Sequence, residues 1–454
     1  MRKPNPSMNA TFSSKELTRR FEQAGNAKRA EKLREDGDAS DALQGAAKKL
    51  EAVYEVPFAA HATMEPMTCV VELGPAGLDV WAGMQNHTLT QMALRKETGL
   101  PKKAIRLHTP FLGGGFGRRL EWDYVVEAVR IAKRVKKPVK LIWTREEDIQ
   151  HDFYRPATWH RFEAGFDGSG KPVAWKHRIV CPSITKRFVP LSDKFSLDIE
   201  TRKPIWHDPT ISDVALHVRY EVPNLRLEWA DVEYPVPTGF WRSVGASQNG
   251  FVIESFVDEL AHAAGKDPIE FRKSLLAKEP RFVALLDLVK EKSGWGTALP
   301  ARHGRGVAIV ESFGSICAQV AEVSVAESGE VQVERVTAGI DCGPFVNPSI
   351  IEAQIQGGIV FGLTSALKGP ITIEKGRVQQ SGFHDYPMLR MREMPRIETH
   401  IVGSRAKMGG IGEVSVPPAV PALTNAIFAA TGVRIRKLPV VPALLAKGAS
   451  TAVR

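Results

Sequence analysis

Short apolar runs separated by glycine and proline begin near residue 52 and continue along the rest of the chain. Runs of this length predict strands with intervening helices. Two segments, 161–180 and 318–336, alternate as β-hairpins do, with a polar turn in the middle of each. The alternating positions of the first hairpin are Phe162, Ala164 and Phe166 on one arm and Val173, Trp175 and His177 on the other.

Helical spacing is clearest in three other segments. Val125, Val129 and Val135 lie on one face of a predicted helix that stops before Pro138. The segments 251–265 and 417–432 predict two further helices, each with a glycine at its C-terminal end. The mixture of strands and helices predicts an α+β fold.

Residues 1–47 differ from the rest of the chain because they are polar and rich in lysine, alanine and glutamate. Ser13 and Glu16 stand at capping-box spacing, which predicts a helical arm or linker here. The remaining length is enough for two domains, which we place at residues 48–285 and 286–454.

Composition excludes several classes of protein. The 43% hydrophobic and 25% charged residues are typical of globular proteins. The formal charge is +10, but the 61 basic residues are interspersed with 51 acidic ones, and pairs such as Arg118-Arg119 are too short to form a basic arm. We therefore expect a solvated charged surface with loops for anionic ligands and no nucleic-acid partner.

The cysteines and histidines lack the spacing of metal ligands. The four cysteines form no CxxC pair, and the histidines show no HxH or HExxH spacing. We therefore expect no zinc, iron–sulfur or other metal site built from this chain's own side chains. The first residues contain no signal-like apolar segment, and we expect no membrane span. The default location is cytoplasmic, or periplasmic if a partner that carries a signal exports the chain.

A run of glycines at residues 113–117, interrupted by Phe116, directly precedes a predicted helix. Glycines let backbone N–H groups approach an anion, so Gly115, Phe116 and Gly117 could bind a phosphate-bearing cofactor or a polar metal-oxo ligand. The stretch matches neither a P-loop nor GxGxxG, and a tight strand-to-helix turn explains it equally well.

Three polar side chains are further candidates. Arg242 lies among aromatic residues in a loop framed by glycine and proline, which fits either a structural ion pair or a cation for negative charge on a substrate. Gln354 offers an amide donor and acceptor for a heterocycle such as a pterin, or caps a helix. Glu413, flanked by glycines and prolines, is either a fixed general base or a helix-terminal acid.

Four ordered motifs, "LGGGFGRR", "GFWRSVG", "DCG..VNP....AQIQGG" and "GGIGE...PP..PA..NAIFAATG", resemble the molybdenum hydroxylases, the xanthine dehydrogenase and aldehyde oxidase family. The resemblance runs from about residue 45 to about 440 and is strongest toward the isoquinoline-oxidising branch. It implies two elongated mixed α/β molybdopterin-binding domains with the active site between them, and Glu413 on the second.

The resemblance also implies roles for individual residues. Glu413 matches the glutamate that takes a proton from a water-derived hydroxyl on molybdenum, and Arg242 matches the arginine that stabilises the transition state. Gly115, Phe116 and Gly117 match the loop that faces the metal's oxo ligand, and Gln354 matches a glutamine that contacts the pterin. The resemblance further implies that the pterin holds molybdenum, in its cytosine dinucleotide form in bacteria, and that electrons leave through a small [2Fe–2S] subunit.

Departures from the family pattern bear on the substrate and on whether this chain contains all of the cofactor-binding segments. Leu120 and Val244 stand where purine-oxidising members have a glutamate and an aromatic residue, so we expect an N-heteroaromatic or aldehyde substrate. The family's Gly-Gln-Gly segment and Ala/Ser-rich loop are not found in residues 1–454, and we expect a separate chain to supply them. The alternative to a catalytic portion is a truncated scaffold subunit that cannot hold molybdenum alone.

Overall fold

The computed structural model describes residues 11–188 and 208–448. The strands in these ranges are β1 (Glu31–Asp36), β2 (Lys48–Val56), β3 (Thr68–Gly74), β4 (Gly77–Trp81), β5 (Ile105–His108), β6 (Val139–Ile142), β7 (Thr158–Phe166), β8 (Pro172–Cys181), β9 (Asn224–Asp231), β10 (His303–Ser312), β11 (Ser315–Val325), β12 (Val331–Asp341), β13 (Ile373–Glu374), β14 (Arg377–Val378) and β15 (Arg396–Ile401). The helices are α1 (Ser14–Gly25), α2 (Ala39–Gln44), α3 (His87–Thr98), α4 (Asp123–Val135), α5 (Arg145–Gln150), α6 (Ile184–Phe188), α7 (Pro209–Ser212), α8 (Val244–Ala263), α9 (Pro268–Leu275), α10 (Pro280–Ser293), α11 (Pro348–Leu367) and α12 (Val416–Thr431).

Three larger sheets organise the described residues. The first has the order β1-β9-β8-β7-β2, the second β5-β4-β3-β6, and the third β10-β11-β12-β15. Both predicted hairpins are confirmed, because β7 pairs antiparallel with β8 and β11 with β12. The three predicted helices are confirmed as α4, α8 and α12, and Gly432 caps α12 in the left-handed conformation.

The N-terminal stretch is part of the first sheet. Ser13 Oγ accepts the Glu16 N–H at 3.2 Å, as the predicted N-cap requires, and α1 buries Leu17 and Phe21. β1, which lies within the stretch predicted as a helical arm, pairs antiparallel with β9 at the sheet edge. This stretch therefore contributes an edge strand as well as a helix. The boundary predicted at residue 285 stays a prediction, and α10 spans it.

Helix α8 lies at the centre of the molecule, with every residue from Gly245 to Ala261 buried. It packs against β2 and β7 of the first sheet on one side and against α12 on the other. α12 in turn lies close against β10, where a Cβ at Gly306 would stand 2.1 Å from the backbone nitrogen of Ala426. Glycine at this position lets the helix approach the strand, so α8 and α12 join the first sheet to the third.

α11 is the one helix in the described ranges that is long and apolar enough to cross a membrane. Length and composition alone are weak evidence, since core helices also satisfy them. In the folded chain α11 packs against α12, and a little under half of it is buried.

Candidate active site

Three helices converge where the predicted catalytic residues lie. α8 and α12 approach at Gly250, where an added Cβ would stand 2.9 Å from Cβ of Pro417. α11 reaches α12 at Gly358, whose added Cβ would stand 2.1 Å from Oγ of Ser415. Glycine at both crossings lets the helices pack closely, and this packing brings the segments that enter α8 and α12 side by side. Arg242 and Glu413 lie on these two segments.

Glu413 is held at the start of α8. Its Oε2 accepts the Ser243 N–H at 2.6 Å, and the Ser243 hydroxyl donates to the Glu413 carbonyl at 2.6 Å. Its Oε1 makes no hydrogen bond with the described residues, so this oxygen is free to accept a proton. Burial raises the pKa of Glu413, and the Ser243 N–H and the charge of Arg242 offset part of that rise. The side chain has the fixed position and the pKa direction of a general base.

Arg242 is a buried cation without a carboxylate partner among the described residues. Its guanidinium donates to the carbonyl of Gly412 and, at 2.9 Å, to Oε1 of Gln354. Burial lowers the pKa of Arg242, although the negative charge of Glu413 acts in the opposite direction. Of the two interpretations that the sequence leaves open, the contacts favour a fixed cation over an ion pair. A buried guanidinium of this kind can stabilise negative charge that develops on a bound molecule.

Gln354 lies in α11 and is not a helix cap. Because its side-chain oxygen accepts from Arg242, its amide nitrogen is the group left for a ligand. Arg242 therefore joins the three residues, because it donates both to Gln354 and to the carbonyl of Gly412, the residue before Glu413. Gln356, two residues further on, is exposed.

The glycine loop packs tightly against two other segments. Gly117 has φ +103°, and an added Cβ would lie 1.5 Å from the carbonyl oxygen of Phe240. Phe116 also has positive φ, and its ring stacks on Phe361 at 4.8 Å. Arg242 lies over the same ring, with 5.8 Å between its Cζ and the Phe116 centroid. The loop thus stands beside Arg242, and its backbone conformation is one that few side chains tolerate.

Gln85, which no sequence pattern indicated, lies at this loop in the structure. Its Oε1 accepts the N–H groups of Gly117 and Arg119, at 3.1 and 3.3 Å. Its amide nitrogen makes no hydrogen bond with the described residues. A glutamine before a helix N-cap has no sequence signal that indicates a functional role. Only the contact of Gln85 with the loop, 32 positions away at Gly117, reveals that role.

Arg118 and Arg119 correct one expectation, because both are buried instead of forming a solvated surface pair. Arg119 donates to the Gly114 carbonyl at 2.9 Å and to Oε2 of Glu65 at 2.9 Å, which ties the glycine loop down. Arg118 pairs with Asp123 and approaches Asp152. These arginines are structural supports of the loop.

Behind the loop, His61 and Asp152 form a buried pair. Nδ1 of His61 lies 2.9 Å from Oδ1 of Asp152, and the interaction with His61 and the charge of Arg118 hold the pKa of Asp152 below its usual value despite burial. Nε2 of His61 has no partner among the described residues, and a Cβ at Gly117 would lie 3.3 Å from it. The pair packs directly against the glycine loop.

Two acidic side chains near the site were absent from the sequence-based candidates. Asp213 follows α7, and burial, together with the charge of Glu413, raises its pKa from 3.8 to about 6. Glu121 is the acid next to Leu120, but it pairs with Arg187 and is buried. Burial raises the pKa of Glu121, and that ion pair opposes the rise, so Glu121 has a partner within the chain.

The loop and its neighbours fit a polar oxygen-bearing group. No acceptor among the described residues contacts the N–H of Gly115 or Phe116, and the amide nitrogen of Gln85 is also free. Gly115 lets the Gln85 side chain approach the loop closely, because an added Cβ would stand 2.5 Å from its Oε1. The donors are neutral and fixed, as a metal-oxo or pterin group requires.

The family model for the "Molybdopterin cofactor-binding domain" matches residues 21–183, and a second model of the same description matches residues 272–395. These two matches cover more than half of the chain, and the chain belongs to the molybdenum hydroxylase family as a molybdopterin-binding subunit. The expected fold of mixed α/β molybdopterin-binding domains is confirmed.

Among its relatives, the chain is 33% identical over 399 residues to the beta chain of isoquinoline 1-oxidoreductase from Brevundimonas diminuta, covering 86% of this chain and 49% of that protein. It is 28% identical to one of the subunits of nicotinate dehydrogenase from Pseudomonas putida, covering 89% and 35%. In structure it is similar to quinoline 2-oxidoreductase from Pseudomonas putida 86, with TM-score 0.78, 14% identity and coverage of 91% and 78%. The chain spans about half the length, or less, of these two sequence relatives.

Proposed function

We propose that this chain is the catalytic portion of a molybdenum-dependent oxidoreductase that hydroxylates an N-heteroaromatic compound or an aldehyde. The reaction converts C–H and water to C–OH, two protons and two electrons, and the electrons pass to a [2Fe–2S] partner subunit. The pterin-bound molybdenum, when present, accepts the two electrons and activates the water-derived oxygen.

One observation carries the proposal: the free Oε1 of Glu413 stands beside a buried Arg242 that has no carboxylate partner among the described residues. Glu413 takes a proton, and its raised pKa makes the carboxylate a stronger base than that of an exposed glutamate. Arg242 stabilises the negative charge that the substrate gains while the proton leaves.

The remaining residues orient the groups. Gly115, Phe116, Gln85 and Gln354 supply neutral donors for the cofactor, and the stack of Phe116 on Phe361 fixes the loop that carries two of them. The names of the sequence relatives, an isoquinoline oxidoreductase and a nicotinate dehydrogenase, support a heteroaromatic substrate. A cytosine dinucleotide form of the cofactor, and a cytoplasmic location unless a partner exports the chain, complete the proposal.

The test is Glu413→Gln in protein purified with its natural partners. We expect molybdenum content to stay at the wild-type level and turnover of isoquinoline or an aromatic aldehyde to fall by about 10²- to 10⁴-fold. Glu327→Gln, at an exposed surface position, is the matched control and leaves turnover unchanged. Wild-type turnover in Glu413→Gln would reject the proposal that Glu413 is the general base.

A truncated scaffold subunit that cannot hold molybdenum alone is the second candidate. Elemental analysis of the complex decides between the two. If the wild-type complex contains no molybdenum, the catalytic proposal is rejected and the scaffold remains.

A further inference from the structure

Exposed basic side chains gather at one end of the second sheet, and we name this group the basic end. Its seven members are Arg95, Lys96, Lys102, Lys103, Arg134, Lys136 and Lys137. None of the seven forms an ion pair with any residue that the structure describes. In the sequence they stand as separate short pairs and a single arginine, and the fold collects them into one surface.

The topology of the second sheet brings the segments that carry these residues together. β5 starts beside the start of β4, and β6 starts opposite the last residues of β3, where Val139 pairs with Val71. α3 and α4 both end at the same place, since Nζ of Lys133 on α4 donates to the carbonyl of Glu97 on α3 at 2.7 Å. The ends of two helices and the starts of three strands therefore share one end of the sheet.

Few acids compensate the charge of the basic end. Glu72 and Glu97 are the only acids in the segments 72–77, 95–104 and 134–140, which form this part of the sheet and its helices. Glu97 already pairs with a basic residue of α4, at 2.7 Å. Most of the positive charge therefore remains uncompensated, and it creates a local field that attracts an anionic partner.

Helix capping explains only part of the basic end. Basic residues in the last turn of a helix interact favourably with its dipole, which accounts for Arg95, Lys96 and Arg134. Lys136 caps α4 at φ +52°, in the left-handed conformation where glycine is favoured. The lysine at this position adds charge at the expense of a less favourable backbone, so its side chain serves a purpose other than the fold.

The composition of the basic end discriminates among anionic partners. Five of its seven residues are lysine, a residue that is depleted in protein–protein interfaces. Its three segments contain no aromatic residue, whereas single-stranded nucleic acids are bound by stacking on aromatic side chains. Val135, between two of the basic residues, is 51% exposed, and Ile131, one turn earlier, is also exposed. Apolar side chains among lysines suit a lipid surface, because they enter the headgroup region while the ammonium groups contact phosphates.

We propose that the basic end docks this chain on the anionic lipid headgroups of a membrane surface. α4 begins after the glycine loop and ends at the basic end, and its 13 residues separate the two by roughly 20 Å. A chain bound by the basic end therefore keeps the candidate active site away from the lipid. The inference goes beyond the proposed function, because it involves no residue of the site and needs no molybdenum.

The test measures co-sedimentation of the purified full chain with lipid vesicles. The anionic vesicles are a one-to-two mixture of phosphatidylglycerol and phosphatidylcholine, and the neutral vesicles are phosphatidylcholine alone. We expect binding to the anionic vesicles to be at least about 100-fold tighter at low salt, and to weaken as salt screens the exposed charges. Equal binding to both kinds of vesicle, or binding to neither, overturns the proposal.

Charge reversal locates the contact on the chain. One variant combines Lys102→Glu, Lys103→Glu, Lys136→Glu and Lys137→Glu. Its control has the same net charge and reverses four exposed lysines of other elements: Lys15→Glu, Lys171→Glu, Lys266→Glu and Lys375→Glu. Each basic residue close to an anionic surface strengthens binding about fivefold, so we expect the first variant to lose at least about 100-fold and the control less than about fivefold. Equal losses in the two variants overturn the docking site, since only the net charge would then matter.

Lys136→Gly separates docking from stability. We expect vesicle binding to weaken about fivefold while the midpoint of thermal unfolding stays the same or rises, because glycine is favoured at this φ. Lys375→Gly is the matched control, since Lys375 is exposed with φ +50° in the turn between β13 and β14, and it leaves binding unchanged. Vesicle binding that is equally strong in both glycine variants contradicts the proposal.

A DNA duplex and poly-L-glutamate serve as competing probes for a nucleic acid and for an acidic protein surface. We expect the wild-type chain to bind both more weakly than the anionic vesicles at the same salt concentration. Tighter binding to either probe, lost in the variant with four reversed lysines at the basic end, assigns this surface to that class of partner and overturns lipid docking.

Discussion

Ser243 and Glu413, 170 positions apart, are joined by two hydrogen bonds of 2.6 Å, and Ser243 is the donor in both. The Ser243 N–H holds the carboxylate, and the Ser243 hydroxyl holds the backbone carbonyl of the same residue. Ser243 has φ +74°, and the next residue, Val244, also has positive φ. This backbone strain aims the N–H at Glu413, which is how a functional site can use an unfavourable conformation.

Ser243→Ala removes the hydroxyl and keeps the N–H. We expect the free energy of unfolding to fall by about 1 kcal/mol, because the Glu413 carbonyl loses its donor. Turnover should fall less than in Glu413→Gln, since the carboxylate keeps its own hydrogen bond. Urea denaturation and steady-state kinetics measure the two effects, with the exposed Ser328→Ala as the control. A loss of turnover as large as that of Glu413→Gln would mean that the hydroxyl itself takes part in the reaction.

The carboxyl of Asp213 tests the electrostatics of the site without any cofactor. Its pKa is raised to about 6, first by burial and then by the charge of Glu413. Glu413→Gln removes that charge, so we expect the Asp213 pKa to decrease. Carbon-13 NMR titration of the aspartate carboxyls in the wild type and the variant measures it. An unchanged Asp213 pKa would show that the two carboxylates do not interact.

The raised pKa of Asp213 also fixes the sign of a stability effect. The folded state binds more protons than the unfolded state between pH 3.8 and about 6, so stability decreases as pH rises through this window. The contribution is at most about 3 kcal/mol. In Asp213→Asn we expect a smaller decrease in the free energy of unfolding between pH 4 and about 6. A decrease equal to that of the wild type would contradict the raised pKa.

The strands and helices with strong periodicity were predictable from the sequence, because their patterns are local. The β7-β8 hairpin and helix α12 were both predicted in this way. β1 was not predicted, since the exposed segment 31–36 has no apolar alternation and becomes a strand only by pairing with β9. Edge strands of this kind are defined by their partner more than by their own residues.

The candidate site residues divide in the same way, because some have a local sequence signal and others are defined only by contacts with distant segments. Glycine and proline around Glu413 indicated that it is held in place, but they did not indicate that Ser243 holds it. Arg242 was left between an ion pair and a free cation, because its partners come from Gly412 and Gln354, more than a hundred positions away. Gln85 had no sequence signal, since its role arises from a contact between two loops.

Arg242 gives a prediction in which activity and stability change differently. Arg242→Met removes the cation beside Glu413, and we expect kcat/KM to fall by about 10²- to 10³-fold. The free energy of unfolding should change by no more than about 1 kcal/mol, because removing a buried charge without a carboxylate partner offsets the lost hydrogen bonds. Thermal unfolding and kinetics give the two values. A large loss of stability would indicate that Arg242 has a structural role.

Gly117→Ala tests the close approach of the glycine loop. The added Cβ would lie 1.5 Å from the Phe240 carbonyl oxygen, so the loop has to move. We expect a loss of at least about 2 kcal/mol in the free energy of unfolding. Gly99→Ala is the matched control, since Gly99 also has positive φ but no atom within 4 Å of the added Cβ. Equal losses in both variants would show that backbone strain alone is responsible.

Glu254 provides a test of how α8 joins the two sides of the fold. Its carboxylate is buried and accepts from the hydroxyl of Tyr220 at 2.6 Å, from Nε of Arg272 at 2.9 Å and from the N–H of Ile309 on β10 at 3.1 Å. Glu254→Gln leaves Arg272 buried with Asp258, at 3.7 Å, as its remaining carboxylate neighbour. We expect a loss of about 3–5 kcal/mol in the free energy of unfolding, because a broken buried pair leaves an uncompensated charge.

The exposed pair of Glu327 and Lys447 supplies the control, for which Glu327→Gln should cost less than about 1 kcal/mol. If urea denaturation gives similar values for both variants, Glu254 does not link the helix to the third sheet.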